Sequence, residues 1–108
     1  GSGEFKTAKL AELRERFPNI IIGIGDKLSD AQAYIDNGMT AYLLPHYERD
    51  ERDDILEMAG AIAALNGRGR LHVVDNWRQI EAGIFDGKEF PPEQYVKQLR
   101  EAARHADD

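Results

Sequence analysis

Apolar residues fall into two rhythms along this chain, short continuous runs and stripes spaced by three and four. The first run is Ile20-Ile21-Ile22-Gly23-Ile24. Its β-branched residues predict a buried strand that stops at Gly25. Met39–Leu44, closed by Pro45, predicts a second strand, and Arg70–Asp75, with Leu71, Val73 and Val74, a third. Between them the spacing is helical. Leu10, Leu13 and Phe17 share one face of a helix over 6–17, which Pro18 ends. Ser29 with Gln32 fits a capping box, which predicts a helix over 29–37 stopped at Asn37-Gly38. Ile55, Met58, Ile62 and Leu65 form the stripe of a helix over 51–65, with Asp50 available as its cap. Asn76 is suited to cap a short helix carrying Trp77, Ile80 and Ile84. Pro91-Pro92 opens a last helix bearing Tyr95, Leu99, Ala102 and Ala103.

Strands alternating with helices predict an α/β fold, a three-layer Rossmann-like parallel sheet of three strands with flanking helices joined by right-handed crossovers. The 108 residues suit one domain with a modest core. Gly1–Phe5 reads as a leader outside the fold, which leaves 6–108 as a single domain. No repeat or low-complexity segment interrupts it.

Fourteen basic and twenty acidic residues give a net charge of −6. That argues against a nucleic-acid surface, and it requires any phosphate to be met by a local positive site. No cysteine is present, so neither a disulfide nor a thiolate metal site is expected, and a reducing cytoplasm is compatible. No apolar run approaches membrane-spanning length, and no signal-peptide pattern opens the chain.

The chemistry concentrates after the first strand. Asp26 sits at that strand's carboxyl end and Asp30 in the first turn of the next helix. Ligands bind in such crevices of open α/β sheets. Two carboxylates held there suit a hard divalent cation, since magnesium takes one or two carboxylates and completes its shell with water and phosphate. The simpler alternative is that Asp26 is a turn residue and Asp30 complements the helix dipole. Other residues have comparably simple alternatives. His46 follows the second strand and lies within reach of a ligand there, but a surface histidine is the plainer reading. Asp75 ends the third strand, where Asp75 and Asn76 capping the next helix accounts for both. His72 reads as packed or edge-facing, His105 as solvated and Trp77 as core. Asp50–Asp54 reads as a solvated helix start. Gly67-Arg68-Gly69-Arg70 carries two arginines suited to phosphate, although a turn before a strand explains it with less.

The run from Phe17-Pro18-Asn19 to Gly38-Met39, with Gly25-Asp26-Lys27-Leu28-Ser29-Asp30 inside it, resembles the haloacid dehalogenase (HAD) superfamily. It is similar to that family's fourth motif, a strand ending in Gly-Asp with a second aspartate four residues on. A lysine opening the preceding helix is similar to the third motif; Lys6 or Lys9 would fill it, and Lys6 lies nearer the helix start. The resemblance spans roughly residues 6–45 and extends to the later strand and helices only in layout. It implies a magnesium-dependent phosphatase acting on a phosphorylated small molecule. Asp26 and Asp30 would hold Mg²⁺, Lys6 would neutralise the phosphoryl group, and Lys27, Ser29 and His46 would lie near the substrate. The family's nucleophile is the first aspartate of an Asp-x-Asp pair, and no such pair occurs in this chain. The resemblance is therefore to the carboxyl-terminal half of a phosphohydrolase, a partial HAD core that is inactive alone. It further implies that Ile20–Ile24 is an exposed strand edge through which the chain forms a homo-oligomer. Two alternatives remain. One is a non-catalytic α/β assembly or partner-binding module. The other is a phospho-receiver domain, disfavoured because no lysine ends a further strand.

Overall fold

The computed structural model describes residues 2–16 and 21–106. Its elements run α1 (Ser2–Arg16), β1 (Ile22–Gly25), α2 (Leu28–Asp36), β2 (Thr40–Leu43), α3 (Arg52–Ala64), β3 (Leu71–Val73), α4 (Trp77–Asp86) and α5 (Pro92–Ala103). The strands form one open parallel sheet in the order β1-β2-β3, with Gly23 opposite Ala41 and Leu43 opposite Val73. The α/β class, the parallel sheet and the flanking helices are as the periodicity implies.

Both crossovers return on the same face, as right-handed connections between strands in sequential order require. Ala41, Leu43, Leu71 and Val73 point to that face and pack against Ala31 and Ile35 of α2, Ile55, Ala59 and Ile62 of α3, and Val96 and Leu99 of α5. The Arg52 guanidinium fastens α3 to α5, with Nε donating to the Ala103 carbonyl at 3.0 Å and a terminal nitrogen to that of Ala106 at 3.1 Å. Helix α1 lies against α2, where the Asn37 amide donates to the Thr7 carbonyl. The helix begins earlier than predicted. Gly3, Glu4 and Phe5 are helical, and Gly3 lies near Ser29. The predicted Phe17 and Ile20 lie outside the described residues.

Among the described elements, the opposite face carries α4 alone. Tyr42, Val74 and Ile80 make a second, smaller core there, with Ile24, Leu44, Ile84 and Phe90 around it. Asn76 caps α4 as predicted, its Oδ1 accepting from the Gln79 N–H at 2.9 Å, and Gly87 ends the helix in the left-handed conformation at φ 69°. Trp77 corrects the prediction of a core residue. It is 61% exposed, because the first turn of α4 runs past the small core.

His72 stacks on Tyr42 with centroids 4.7 Å apart. Burial lowers its pKa below the ordinary 6.5, partly offset by the charge of Glu89. A base depressed in the folded state binds fewer protons there than in the unfolded chain, so stability rises with pH across that window. Below about pH 6.5 the urea midpoint is expected to fall, and the His72→Gln variant should show a shallower fall. A parallel pH profile in that variant would contradict this.

The sheet's two edges differ. Along β3 the Val73 N–H donates to the Phe90 carbonyl at 3.0 Å and the Phe90 N–H to His72 Nδ1 at 3.1 Å, so the segment before α5 covers that edge. Strand β1 pairs only with β2 among the described residues. The Ile21 and Gly25 carbonyls accept from Thr40 and Leu44, so by alternation Ile22 and Ile24 turn their backbone groups outward. The Tyr34 hydroxyl reaches the Ile24 carbonyl at 3.1 Å and covers that acceptor.

Candidate functional site at the carboxyl edge of the sheet

Because all three strands run the same way, the residues that follow them collect at one edge. Asp26 follows β1, His46 and Tyr47 follow β2, and Asp75 follows β3. His46 Nε2 lies 3.4 Å from Asp26 Oδ2. Both side chains are well exposed, so the contact is worth at most about 1 kcal/mol and leaves both groups accessible.

Asp30 lies in the first turn of α2, and its side chain rests on Gly25. A β-carbon at position 25 would fall 2.8 Å from Asp30 Cβ and 3.3 Å from its Oδ2. Gly25 is not among the positive-φ glycines, which are Gly38, Gly69 and Gly87. It provides room for Asp30 rather than a turn. Lys27 is the N-cap residue of α2, in extended conformation, exposed and without a side-chain cap bond. The capping box predicted from Ser29 and Gln32 does not form. The helix starts one residue before Ser29, and the Gln32 amide instead reaches Asp36 at 2.9 Å and the Asn66 backbone. Ser29 is therefore a helical residue of the first turn, half-buried beside Asp30. The backbone of Lys6 belongs to α1, and its side chain lies outside the described residues.

A second cluster surrounds Asp75. Asn76 alone caps α4, while the Asp75 carboxylate turns toward α5 and the loop after β2. The Tyr95 hydroxyl donates to Asp75 Oδ1 at 2.6 Å, and Arg49 donates to the same oxygen at 3.1 Å. Arg49 also donates to the Tyr47 hydroxyl at 3.0 Å, and the two tyrosine oxygens lie 3.1 Å apart. Since Tyr95 spends its proton on Asp75, Tyr47 must donate to Tyr95. The four side chains thus form a closed ring in which donation runs from Arg49 to Asp75 along both arms, directly and through Tyr47 and Tyr95. Burial first, then the bonds to Asp75 and Tyr47, push the Tyr95 phenol well above its ordinary range. Burial works most strongly against the Arg49 cation, but the bond to Asp75 and the electrostatic attraction of Tyr47, Tyr95 and Asp75 together outweigh it and raise its pKa. Both groups therefore hold their protons at neutral pH, and the ring fixes the loop after β2 rather than moving protons. Sequence reasoning identified only Asp75 of the four. Tyr47, Arg49 and Tyr95 come from separate segments with no shared motif.

Asp26, Asp30 and His46 thus lie at one end of β1 and β2. Among the described residues, no group of three or more histidine, aspartate or glutamate side chains converges as a metal-binding set. Two hard carboxylates fit magnesium, which draws the rest of its shell from water and phosphate. No helix among the described residues is long and apolar enough to cross a membrane.

No family model, curated protein or solved structure matches the chain. The resemblance to the HAD superfamily rests on the chain's own residues.

Proposed function

We propose that this chain is the carboxyl-terminal part of a HAD-type, magnesium-dependent phosphohydrolase. Asp26 and Asp30 are its metal carboxylates, and Lys6 is its phosphoryl-neutralising cation. The observation that carries this reading is the position of Asp30, held against Gly25 at the end of the edge strand that also presents Asp26. His46 beside Asp26 and Lys27 and Ser29 at the start of α2 line the approach of a phosphorylated small molecule. Bound Mg²⁺ supplies charge neutralisation at the phosphoryl oxygens. The chain's own groups position that charge. Without an Asp-x-Asp pair there is no nucleophile, so the chain alone does not turn over phosphoesters. A cytoplasmic setting accords with the absence of cysteine.

The test is calorimetric titration of Mg²⁺ in the presence of tungstate, a phosphate mimic. Binding is expected in the parent and is lost in Asp30→Asn. Equal heats in the two, or none in either, would favour the alternative, a non-catalytic α/β module. That no group of three or more histidine, aspartate or glutamate side chains converges among the described residues is the observation on that module's side.

The open edge of β1 goes with the same reading. Ile21 is 63% exposed and Ile22 36%, and the outward backbone groups of Ile22 invite another strand. Self-association at high concentration is expected, and a charge at the edge in Ile22→Lys should abolish it. Light scattering that reports a monomer for the parent would contradict it.

A further inference from the structure

A cleft of about 420 Å³ opens at the amino-terminal end of β3, the opposite end of the sheet from Asp26 and Asp75. It lies between the last turn of α3, the loop 67–69 and the start of α5. Its volume falls in the range of small-molecule sites. Buried Ile62, Leu71 and Val96 give it an apolar floor.

Arg68 and Arg100 line the same cleft, both exposed, and among the described residues neither makes an ion pair. Arg68 is also the only non-glycine among the described residues with a positive φ, 50°. That conformation is unfavourable for a side chain of this kind, and Gly67 and Gly69 on either side let the turn hold it. His72 adds a third donor. Its Nδ1 accepts from the Phe90 N–H, so the neutral ring carries its proton on Nε2. Glu89 and Glu93 also line the cleft. Two carboxylates beside two guanidinium groups oppose a polyanion but accept a single negative charge. A planar carboxylate suits arginine's fork of donors.

We propose that this cleft binds a small organic monocarboxylate with an apolar body, its carboxylate held by Arg68 and Arg100 and its body on Ile62, Leu71 and Val96. This site is independent of the carboxyl edge and of any phosphoryl chemistry there. It gives Arg68 of the Gly67–Arg70 segment a role that a turn alone does not require.

The experiment titrates phenylacetate into the full chain to about 20 mM while amide and methyl resonances of Leu71 and Val96 are followed. Phenylethanol and phenethylamine serve as neutral and cationic matches. Saturable shifts with phenylacetate are expected, with weaker responses to the two matches. Affinity should fall about tenfold in Arg100→Met and in Arg68→Gly, the loss of one charge-assisted contact. Arg68→Gly suits the left-handed backbone at this position, so loss of binding there is not loss of fold. Absence of saturation in the parent would overturn the proposal. So would an equal response to phenylethanol or phenethylamine, or undiminished affinity in both folded variants.

Discussion

Replacing Gly23 by alanine is expected to destabilise the domain by about 2–3 kcal/mol, read as a lower urea midpoint at unchanged slope. A β-carbon at this position would fall 2.3 Å from the Tyr34 ring, inside any permitted contact. The ring cannot simply swing away. Its hydroxyl is tied to the Ile24 carbonyl, and α2 is held by Ala31, Ala33 and Ile35, all buried. The interaction is therefore pairwise, and a double-mutant cycle can isolate it. Gly23→Ala combined with Tyr34→Ala should cost clearly less than the two single changes added together. Strict additivity would show that the glycine serves the strand itself and not the ring above it. The same contact bears on the site. Tyr34 packs β1 onto α2, and Asp26 and Asp30 each sit at an end of one of those two elements.

Leu43→Ala is expected to cost more, about 3–4 kcal/mol. Leu43 is fully buried in the central strand, between Gly25 of β1 and Val73 of β3, and it faces the helices of the larger core. Truncation there removes contacts to several helices at once, and neighbours on a three-stranded sheet have little freedom to collapse into the space. For a domain of this size such a loss is a large part of the total stability. Ile84→Ala provides the comparison. Ile84 is half-buried at the margin of the small second core, so its truncation should cost less than half as much. Equal losses would mean that the single helix α4 contributes as much core as α2, α3 and α5 together.

Much of this architecture is legible in residue order because local signals agree with one another. The three apolar runs become the three strands, and the stripe Ile55, Ile62 becomes the buried face of α3. Gly38 takes the left-handed conformation where Asn37-Gly38 predicts a stop. What residue order hides are contacts between distant positions. Gly23 of β1 and Tyr34 of α2 meet where the helix packs on the strand. The bond network of Tyr47, Arg49, Asp75 and Tyr95 joins the loop after β2, the end of β3 and α5. Gln32 illustrates a competition that sequence cannot weigh. Its spacing from Ser29 suits a cap, yet Asp36 and the Asn66 backbone offer its amide other partners. At the candidate site, Asp26 and Asp30 are visible as a spaced pair, while the approach of His46 to Asp26 depends on how the sheet aligns β1 and β2.

The most direct measurement follows the backbone amides of residues 25–30 while Mg²⁺ is added in the presence of tungstate, in the parent and in Asp26→Asn. A phosphoryl half-site requires saturable shifts confined to that segment and the neighbouring His46 in the parent, and their disappearance in the variant. A parent whose amides stay still, or a variant that responds as the parent does, would contradict it.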